Sequence, residues 1–211
     1  MHDLNLSEIK WIFFDLGSTL IDETEVYAHR FRETVCGSDV DVSAFQKTAV
    51  RFWTQGLDGY PEAAAFYRLP KSPWRSEYER LFDDCAAVLE ALNARGYRLG
   101  VIANQVPGTE ARLEKWGVLR YFSVIAASAE LGVEKPDPAI FLWALRQAGC
   151  KPAQAIMIGD RIDNDILPAK QLGMQTVRMR TGPAAVYRPA DDPADAAVDR
   201  LSDLLNIFCK L

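Results

Sequence analysis

Short apolar runs that alternate with segments of helical period constrain this chain more than any other feature. Ile9 to Phe14, Tyr97 to Ala103, Phe122 to Ala127, Ala155 to Ile158 and Gln175 to Met179 are each bounded by Gly, Asn or Asp and read as strands. Between them, Leu81, Phe82, Cys85, Val88, Leu89 and Leu92 form one apolar helical stripe, and Ile140, Phe141, Ala144, Leu145 and Ala148 form another. Gly96 and Gly149 stand where left-handed caps would end those helices. Strands joined through helices run parallel, and right-handed crossovers put helices on both faces. The expected fold class is therefore α/β, a three-layer sandwich around a mainly parallel Rossmann-like sheet. A site in such a fold lies at the carboxyl ends of the strands, where Asp15, Asn104 and Asp160 fall.

The rhythm breaks after the first strand. From about Ile21 to Arg80 no buried strand is expected, while Tyr27, Phe31 and Val35, then Val42, Phe45, Ala49 and Phe52, recur at helical spacing. This is read as an inserted all-helical cap over residues 21–79, with the core built from residues 1–20 and 80–211. Pro70 and the Ser72-Pro73 step break or restart helix, and Ser72 is placed to cap a helix beginning at Pro73. No comparable insertion separates Asn104 from Lys135. The Ala-, Pro- and Asp-rich stretch from Thr181 to Asp195 reads as a surface loop before a last strand at Ala196 to Val198 and a short terminal helix. The insertion is aromatic, with Phe45, Phe52, Trp53, Tyr60, Phe66, Tyr67 and Trp74. Most of these should hold so small a helical unit together, leaving one or two of Trp53, Tyr60 and Tyr67 to face the cleft. Arg51 and Arg68 are candidate cations for a second anionic group, against the plainer reading of solvated side chains.

With 211 residues, 49% of them hydrophobic, the chain can bury a core for one domain plus that insertion. A net charge of -5 offers no basic surface for a phosphate backbone, so nucleic acid is not an expected partner. No apolar run is long enough to cross a bilayer, and MHDLNLSEIK lacks the layout of a secretion signal, so no membrane partner and a cytoplasmic location are expected. Cys36, Cys85, Cys150 and Cys209 are too scattered for a zinc site or a disulfide framework and read as buried thiols.

Four segments carry the chemistry: WIFFDLGSTL from Trp11, VIANQ from Val101, GVEKPDPAIF from Gly132 and MIGDRIDND from Met157. A carboxylate attacks phosphorus only if its repulsion from a phosphate dianion is offset, so Asp15 as a nucleophile needs a cation nearby. Asp160, ending another apolar strand, could converge with it on Mg²⁺, a hard ion suited to oxygen ligands. Taken alone, either Asp would be read as a helix cap. Together the four segments resemble the haloacid dehalogenase superfamily across nearly the whole chain. The resemblance implies an Mg²⁺-dependent phosphatase working through an aspartyl-phosphate on Asp15. It also implies Asp15, Asp160 and the Gly17 carbonyl as metal ligands, with Asp165 in the outer shell and Asp163 and Asn164 as competitors for that place. Lys135 would neutralise the nucleophile and the transferring group. Ser18, Thr19, Asn104 and the main chain around Ala103 would hold the phosphate.

Two positions depart from the family pattern. Gly17 stands where most family phosphatases have a second Asp that protonates the leaving oxygen and then activates water, and Ala103 replaces a phosphate-binding Ser or Thr. Candidate replacements for the missing acid are Asp22, Glu23, Glu25 and His29, each with an ordinary reading as a helix-dipole or surface residue. The leading expectation is a phosphomonoester hydrolase acting on a small phosphorylated metabolite, as a monomer or homodimer. The alternatives are a haloacid-dehalogenase-type hydrolase attacking carbon, and a catalytically weak binding protein that keeps the fold.

Overall fold

The computed structural model describes residues 4–209, apart from the side chain of Ala184. β1 (Trp11–Phe14) is followed by a two-residue strand β2 (Ile21–Asp22), helices α1 (Thr24–Val35), α2 (Val42–Trp53) and α3 (Gly59–Tyr67), and a second two-residue strand β3 (Arg80–Leu81). Then come α4 (Cys85–Ala94), β4 (Arg98–Ala103), α5 (Thr109–Lys115), β5 (Phe122–Ala127), α6 (Ser128–Leu131), α7 (Pro138–Ala148) and β6 (Ala155–Gly159). A π-helical turn (Ile162–Ile166) leads into α8 (Leu167–Gln171), and β7 (Gln175–Met179), β8 (Ala196–Val198) and α9 (Leu204–Ile207) complete the chain.

The main sheet has the order β5-β4-β1-β6-β7-β8 with every pairing parallel. All four residues of β1 are buried, as a central strand covered on both faces requires. Its side chains alternate: Ile12 and Phe14 join the hydrophobic cluster that includes residues of α4, α5 and α9, while Trp11 and Phe13 join the one that includes residues of α7 and α8. Burying each such phenyl ring contributes about 1.5–3 kcal/mol. From β1 the chain builds outward through β4 and β5, then returns to place β6 on the other side of β1. The connections leaving β1 and β6 therefore diverge, and the crevice between them opens at the carboxyl ends that carry Asp15 and Asp160.

The inserted helices pack around their own cluster of Phe31, Phe45, Ala49, Tyr60, Ala63 and Ala64. Asp41 starts α2, its side chain accepting from the N–H groups of Ser43 and Ala44. Contrary to the expectation of an insertion without strands, β2 and β3 form an antiparallel ribbon at its base, pairing Ile21 with Leu81 and Asp22 with Arg80. The two chain crossings run side by side there and satisfy each other's backbone groups. The same pairing shortens the expected helical stripe. Leu81 belongs to β3, the Phe82 N–H donates to the Leu20 carbonyl at 3.0 Å, and α4 starts only at Cys85.

No helix begins at Pro73. The Ser72 N–H donates to the Tyr60 hydroxyl at 2.6 Å and its Oγ to the Arg30 carbonyl at 3.2 Å, so the segment is tied to the insertion, and the first turn after it is a 3₁₀ turn at Ser76–Tyr78. Of the four thiols only Cys85, on the core face of α4, is buried; Cys36 and Cys209 are exposed and Cys150 is half-buried. No described helix is long and apolar enough to cross a membrane.

Candidate active site

β1 delivers Asp15 to the crevice, and the Asp15 N–H donates to the Ile158 carbonyl at 2.8 Å, tying the start of the loop to β6. The Leu16 carbonyl then accepts from Thr19, Leu20 and Ile21, which folds the next residues into a tight turn. Ser18 sits in that turn at φ 53, held by a hydrogen bond from the Thr181 hydroxyl to its carbonyl. Left-handed backbone at a non-glycine residue costs about 1–3 kcal/mol and persists where surrounding contacts impose it.

Lys135 comes from the loop before α7 and is buried with its Nζ 2.6 Å from Asp15 Oδ1 and 2.6 Å from Asp165 Oδ1. Asp165 lies in the π-helical turn and is aimed by the N–H of Arg161, the residue just before that turn, which donates to Asp165 Oδ2 at 2.9 Å. Close approach there requires a glycine: a Cβ on Gly159 would lie 2.4 Å from the Asp165 carboxyl carbon. Asp15, Asp160 and Asp165 each offer one ligand oxygen, and these atoms lie within 4.8 Å of one another.

Three buried carboxylates share one ammonium, so the cluster is short of positive charge. Burial, partly offset by Lys135, pushes the Asp15 carboxyl up to about 6. Burial and the neighbouring Asp165 and Asp15 hold Asp160 well above the usual carboxylate range. Burial opposes the charge on Lys135, yet Asp15 and Asp165 outweigh it and raise the ammonium pKa. An all-oxygen, negatively charged donor set of this kind fits a hard divalent cation.

The crevice widens into a cavity of about 410 Å³ between core and insertion. Tyr27, Trp53 and Trp74 line it from the insertion, and Arg161, Arg178 and Tyr187 from the core. Arg161 bridges the two sides, with its Nη1 3.2 Å from Asp58 Oδ2 at the start of α3. Arg178 is buried in β7, paired with Asp192 at 2.9 Å and donating to the carbonyls of Asp160 and Tyr187.

The candidate residues Asp15, Gly17, Ser18, Asn104, Lys135, Asp160 and Asp165 all line this cavity. Asp163 and Asn164 line it too, but Asp163 is paired with Arg161 and lies outside the three-carboxylate cluster. Two phosphate-binding candidates do not themselves line the cavity. Ala103 is the fully buried last residue of β4, and Thr19 is buried with no hydrogen-bond partner for its hydroxyl among the described residues. The Asn104 side chain is turned to the Lys135 main chain rather than reserved for a phosphate. Of the three aromatic candidates, Trp53 faces the cavity, while the Tyr60 hydroxyl bonds Thr34 and Ser72 and the Tyr67 hydroxyl bonds Thr48 inside the insertion. Arg51 lies over the rings of Phe52 and Phe66, and Arg68 is exposed at the end of α3.

Among the four candidate acids, only Glu23 lines the cavity. Asp22 accepts from the Thr24 N–H, Glu25 is exposed, and the His29 ring stacks on Tyr78 at 3.6 Å between centroids. Burial pushes Glu23 up to about 8, against the lowering effect of its hydrogen bond from Ser18. Arg161, Arg178 and Tyr187 were not anticipated. The one signal for Arg178 is a charged residue inside an apolar strand, QTVRM, which requires a buried partner.

The family model for haloacid dehalogenase-like hydrolases matches residues 9–173. The chain belongs to that family. It is 33% identical over 159 residues to a glyceraldehyde 3-phosphate phosphatase of Methanopyrus kandleri, a match covering 74% of this chain and 68% of that protein. Against the protein of the same name from Methanothermobacter thermautotrophicus the identity is 38% over 99 residues, covering 46% of this chain and less than half, 44%, of the relative's length. Among solved structures, a HAD phosphatase from Thermococcus onnurineus superposes with a TM-score of 0.64 at 25% identity over 94% of this chain and 97% of its own. A 2-haloacid dehalogenase from Pseudomonas syringae superposes with a TM-score of 0.62 at 24% identity over 94% and 97%. At that identity the dehalogenase shows only the shared fold, so the chemistry of this haloacid dehalogenase-like hydrolase rests on its own cleft.

Proposed function

We propose that the chain is an Mg²⁺-dependent phosphomonoester hydrolase acting on a small phosphorylated metabolite, with Asp15 as nucleophile. One observation carries the reading: the Asp15 carboxylate sits at the switch-point crevice, bonded at 2.6 Å to a buried lysine and grouped with two further carboxylates. Asp15, Asp160, Asp165 and the Gly17 carbonyl are the groups that would hold Mg²⁺, which when bound offsets the negative charge of a phosphate dianion. The Asp15 carboxylate then attacks phosphorus, the ester oxygen departs, and water attacks the phosphorus of the aspartyl-phosphate to return the carboxylate and release phosphate. Lys135, already charged and immobilised, stabilises the charge on the transferring oxygens without reorganising.

The insertion over residues 21–79 acts as the cap of a core formed by residues 1–20 and 80–211, and its Tyr27, Trp53 and Trp74 face what the phosphate is attached to. The relatives named glyceraldehyde 3-phosphate phosphatase make triose phosphates the first panel to assay. The dehalogenase alternative uses the same Asp against carbon and needs no metal, which leaves the clustering of Asp160 and Asp165 around it without a purpose. The test is phosphate release from p-nitrophenyl phosphate with Mg²⁺ and with EDTA, using Asp15→Asn as background, beside halide release from a 2-haloacid. Metal-dependent, Asp15-dependent phosphate release supports the reading. Halide release that survives EDTA, or folded protein with neither activity, overturns it.

A further inference from the structure

Six carboxylates line the cleft: Asp15, Glu23, Asp58, Asp160, Asp163 and Asp165. Asp15, Asp160 and Asp165 form the cluster served by Lys135, and Asp58 and Asp163 are paired with Arg161. Glu23 alone of the six belongs to neither group. Its side chain takes one hydrogen bond among the described residues, from Ser18 Oγ to Oε2 at 2.8 Å, and Oε1 has none. Glu23 also stands at the N-cap of α1, where an acidic side chain ordinarily accepts from the first N–H groups of the helix, but it makes no such bond. Asp22 takes the Thr24 N–H instead, leaving the Glu23 carboxylate in the cleft.

The place it occupies is specific. A Cβ built on Gly17 would lie 2.5 Å from Glu23 Oε1 and 3.1 Å from its carboxyl carbon. In an aspartate the carboxylate oxygens lie roughly 2.4 Å from their own Cβ by ordinary bond lengths. Glu23 Oε1 therefore lies about as far from position 17 as the oxygen of an Asp there would, and the two side chains exclude each other.

We propose that Glu23 is the general acid and base of the reaction, reaching from the start of the cap into the space left by Gly17. As the phosphorus–ester oxygen bond breaks and Asp15 bonds to phosphorus, Glu23 gives its proton to the departing oxygen. In the second step its carboxylate takes a proton from the attacking water as the bond between Asp15 and phosphorus breaks, so Glu23 ends protonated as it began. The assignment rests on the phosphatase reading. It goes beyond that reading in placing the proton transfer on a cap residue, so that the acid arrives with the element that covers the substrate.

The experiment compares kcat/KM, which ends at departure of the leaving group and excludes the water step common to all esters, on an alkyl phosphate and on aryl phosphates of increasing leaving-group acidity, ending at p-nitrophenyl phosphate, each corrected with Asp15→Asn. Glu23→Gln is expected to lower kcat/KM for the alkyl ester by about 10²–10⁴ while leaving kcat/KM for the nitrophenyl ester within about tenfold, steepening the dependence on leaving-group pKa, and to lower kcat on both esters through loss of the base. The double variant Gly17→Asp with Glu23→Ala should recover alkyl turnover, whereas Gly17→Asp alone, with Glu23 still in the way, should not. Retained nitrophenyl kcat/KM is the internal check that each variant folds. Equal loss of kcat/KM on both esters, no loss on either, or failure of the double variant to exceed Glu23→Ala on the alkyl ester overturns the assignment. Absence of Asp15-dependent turnover in the wild type would instead overturn the phosphatase reading beneath it.

Discussion

The side chain of Asn104 brackets the main chain of Lys135, accepting from its N–H at 2.7 Å and donating to its carbonyl at 2.9 Å. This pair joins the carboxyl end of β4 to the loop that carries the lysine, 31 residues further along the chain. The ammonium is thereby aimed from its backbone and not only from the carboxylates it meets. Asn104→Ala should leave Lys135 less well placed, and each lost hydrogen bond is worth about 0.5–1.5 kcal/mol. We expect kcat on p-nitrophenyl phosphate to fall roughly ten- to a hundredfold with a smaller change in KM. Unchanged kcat would mean that Asp15 and Asp165 suffice to position the lysine.

Lys135 is the one cation bonded to the three-carboxylate cluster among the described residues. Removing one partner of a buried charge pair costs about 3–5 kcal/mol, because the remaining charges stay buried without compensation. Lys135→Met should therefore abolish turnover and destabilise the protein in EDTA. On the proposed reading Mg²⁺ binds the folded state, so it should raise the melting temperature of the variant more than that of the wild type, the variant's site being more negative. Differential scanning fluorimetry with and without Mg²⁺ reads this directly, and equal shifts in the two proteins would show that the lysine charge does not act on the metal site.

Gly159 touches no substrate, yet a methyl group there would meet the Asp165 carboxyl carbon at 2.4 Å, with the Asp165 Oδ2 also at 2.4 Å. Gly159→Ala must push Asp165 out of the cluster and away from Lys135. The expected result is Mg²⁺ affinity at least about tenfold weaker by isothermal titration, or about 1.4 kcal/mol, with turnover lost in parallel. Wild-type affinity in that variant would place Asp165 outside the metal site.

The link between Arg161 and Asp58 crosses from the core to the insertion with both side chains about 40% exposed. Exposed ion pairs contribute about 0–1 kcal/mol, so Asp58→Ala should barely move thermal stability. Because both residues line the cleft, the effect should appear as a raised KM with kcat nearly unchanged, and the rise should be smaller at high salt, where screening already weakens the pair. A large loss of stability would make the contact part of the fold instead of part of cleft closure.

Asp195 shows the acid side of stability away from the cleft. Its carboxylate accepts from Lys170 at 2.7 Å and from the Thr176 N–H and hydroxyl, both at 2.9 Å, just before β8. Burial raises its pKa, but Lys170 and Thr176 outweigh burial and hold it below the usual value. A depressed folded-state pKa means that the unfolded chain binds its proton at higher pH. The stabilisation is thus complete above the unfolded value and is lost as pH falls through the folded one. Asp195→Asn should lower stability at neutral pH by about 1–3 kcal/mol and flatten the acid limb of a urea-denaturation series, with little change in curvature near pH 7. An unaltered acid limb would assign acid unfolding to other carboxylates.

Much of the fold was legible in the sequence because its signals are local. Phe122–Ala127, Gln175–Met179 and Ala196–Val198 were read with their observed limits, since a buried parallel strand is a short apolar run with turn residues at its ends. Ser72 and Pro73 misled for the same reason. Their dipeptide carries a helix-start signal, and the Tyr60 hydroxyl, 12 residues away, claimed the Ser72 N–H instead. The ribbon of β2 and β3 was invisible because its pairing depends on two segments 60 residues apart in the chain.

The sequence by itself determined the parallel sheet, the helical insertion and the arrival of Asp15 and Asp160 at neighbouring strand ends. Strand periodicity and strand-ending polar residues are written along the backbone, and a parallel sheet leaves those residues few places to go. Only the tertiary structure decided which of four nearby candidates enters the cleft, that Asn104 serves Lys135, and that Arg161, Arg178 and Tyr187 complete the cavity wall. Those outcomes depend on the direction of each side chain and on partners distant in sequence, such as the void at Gly17 that admits Glu23. Packing between elements settles them, and no spacing within one element records it.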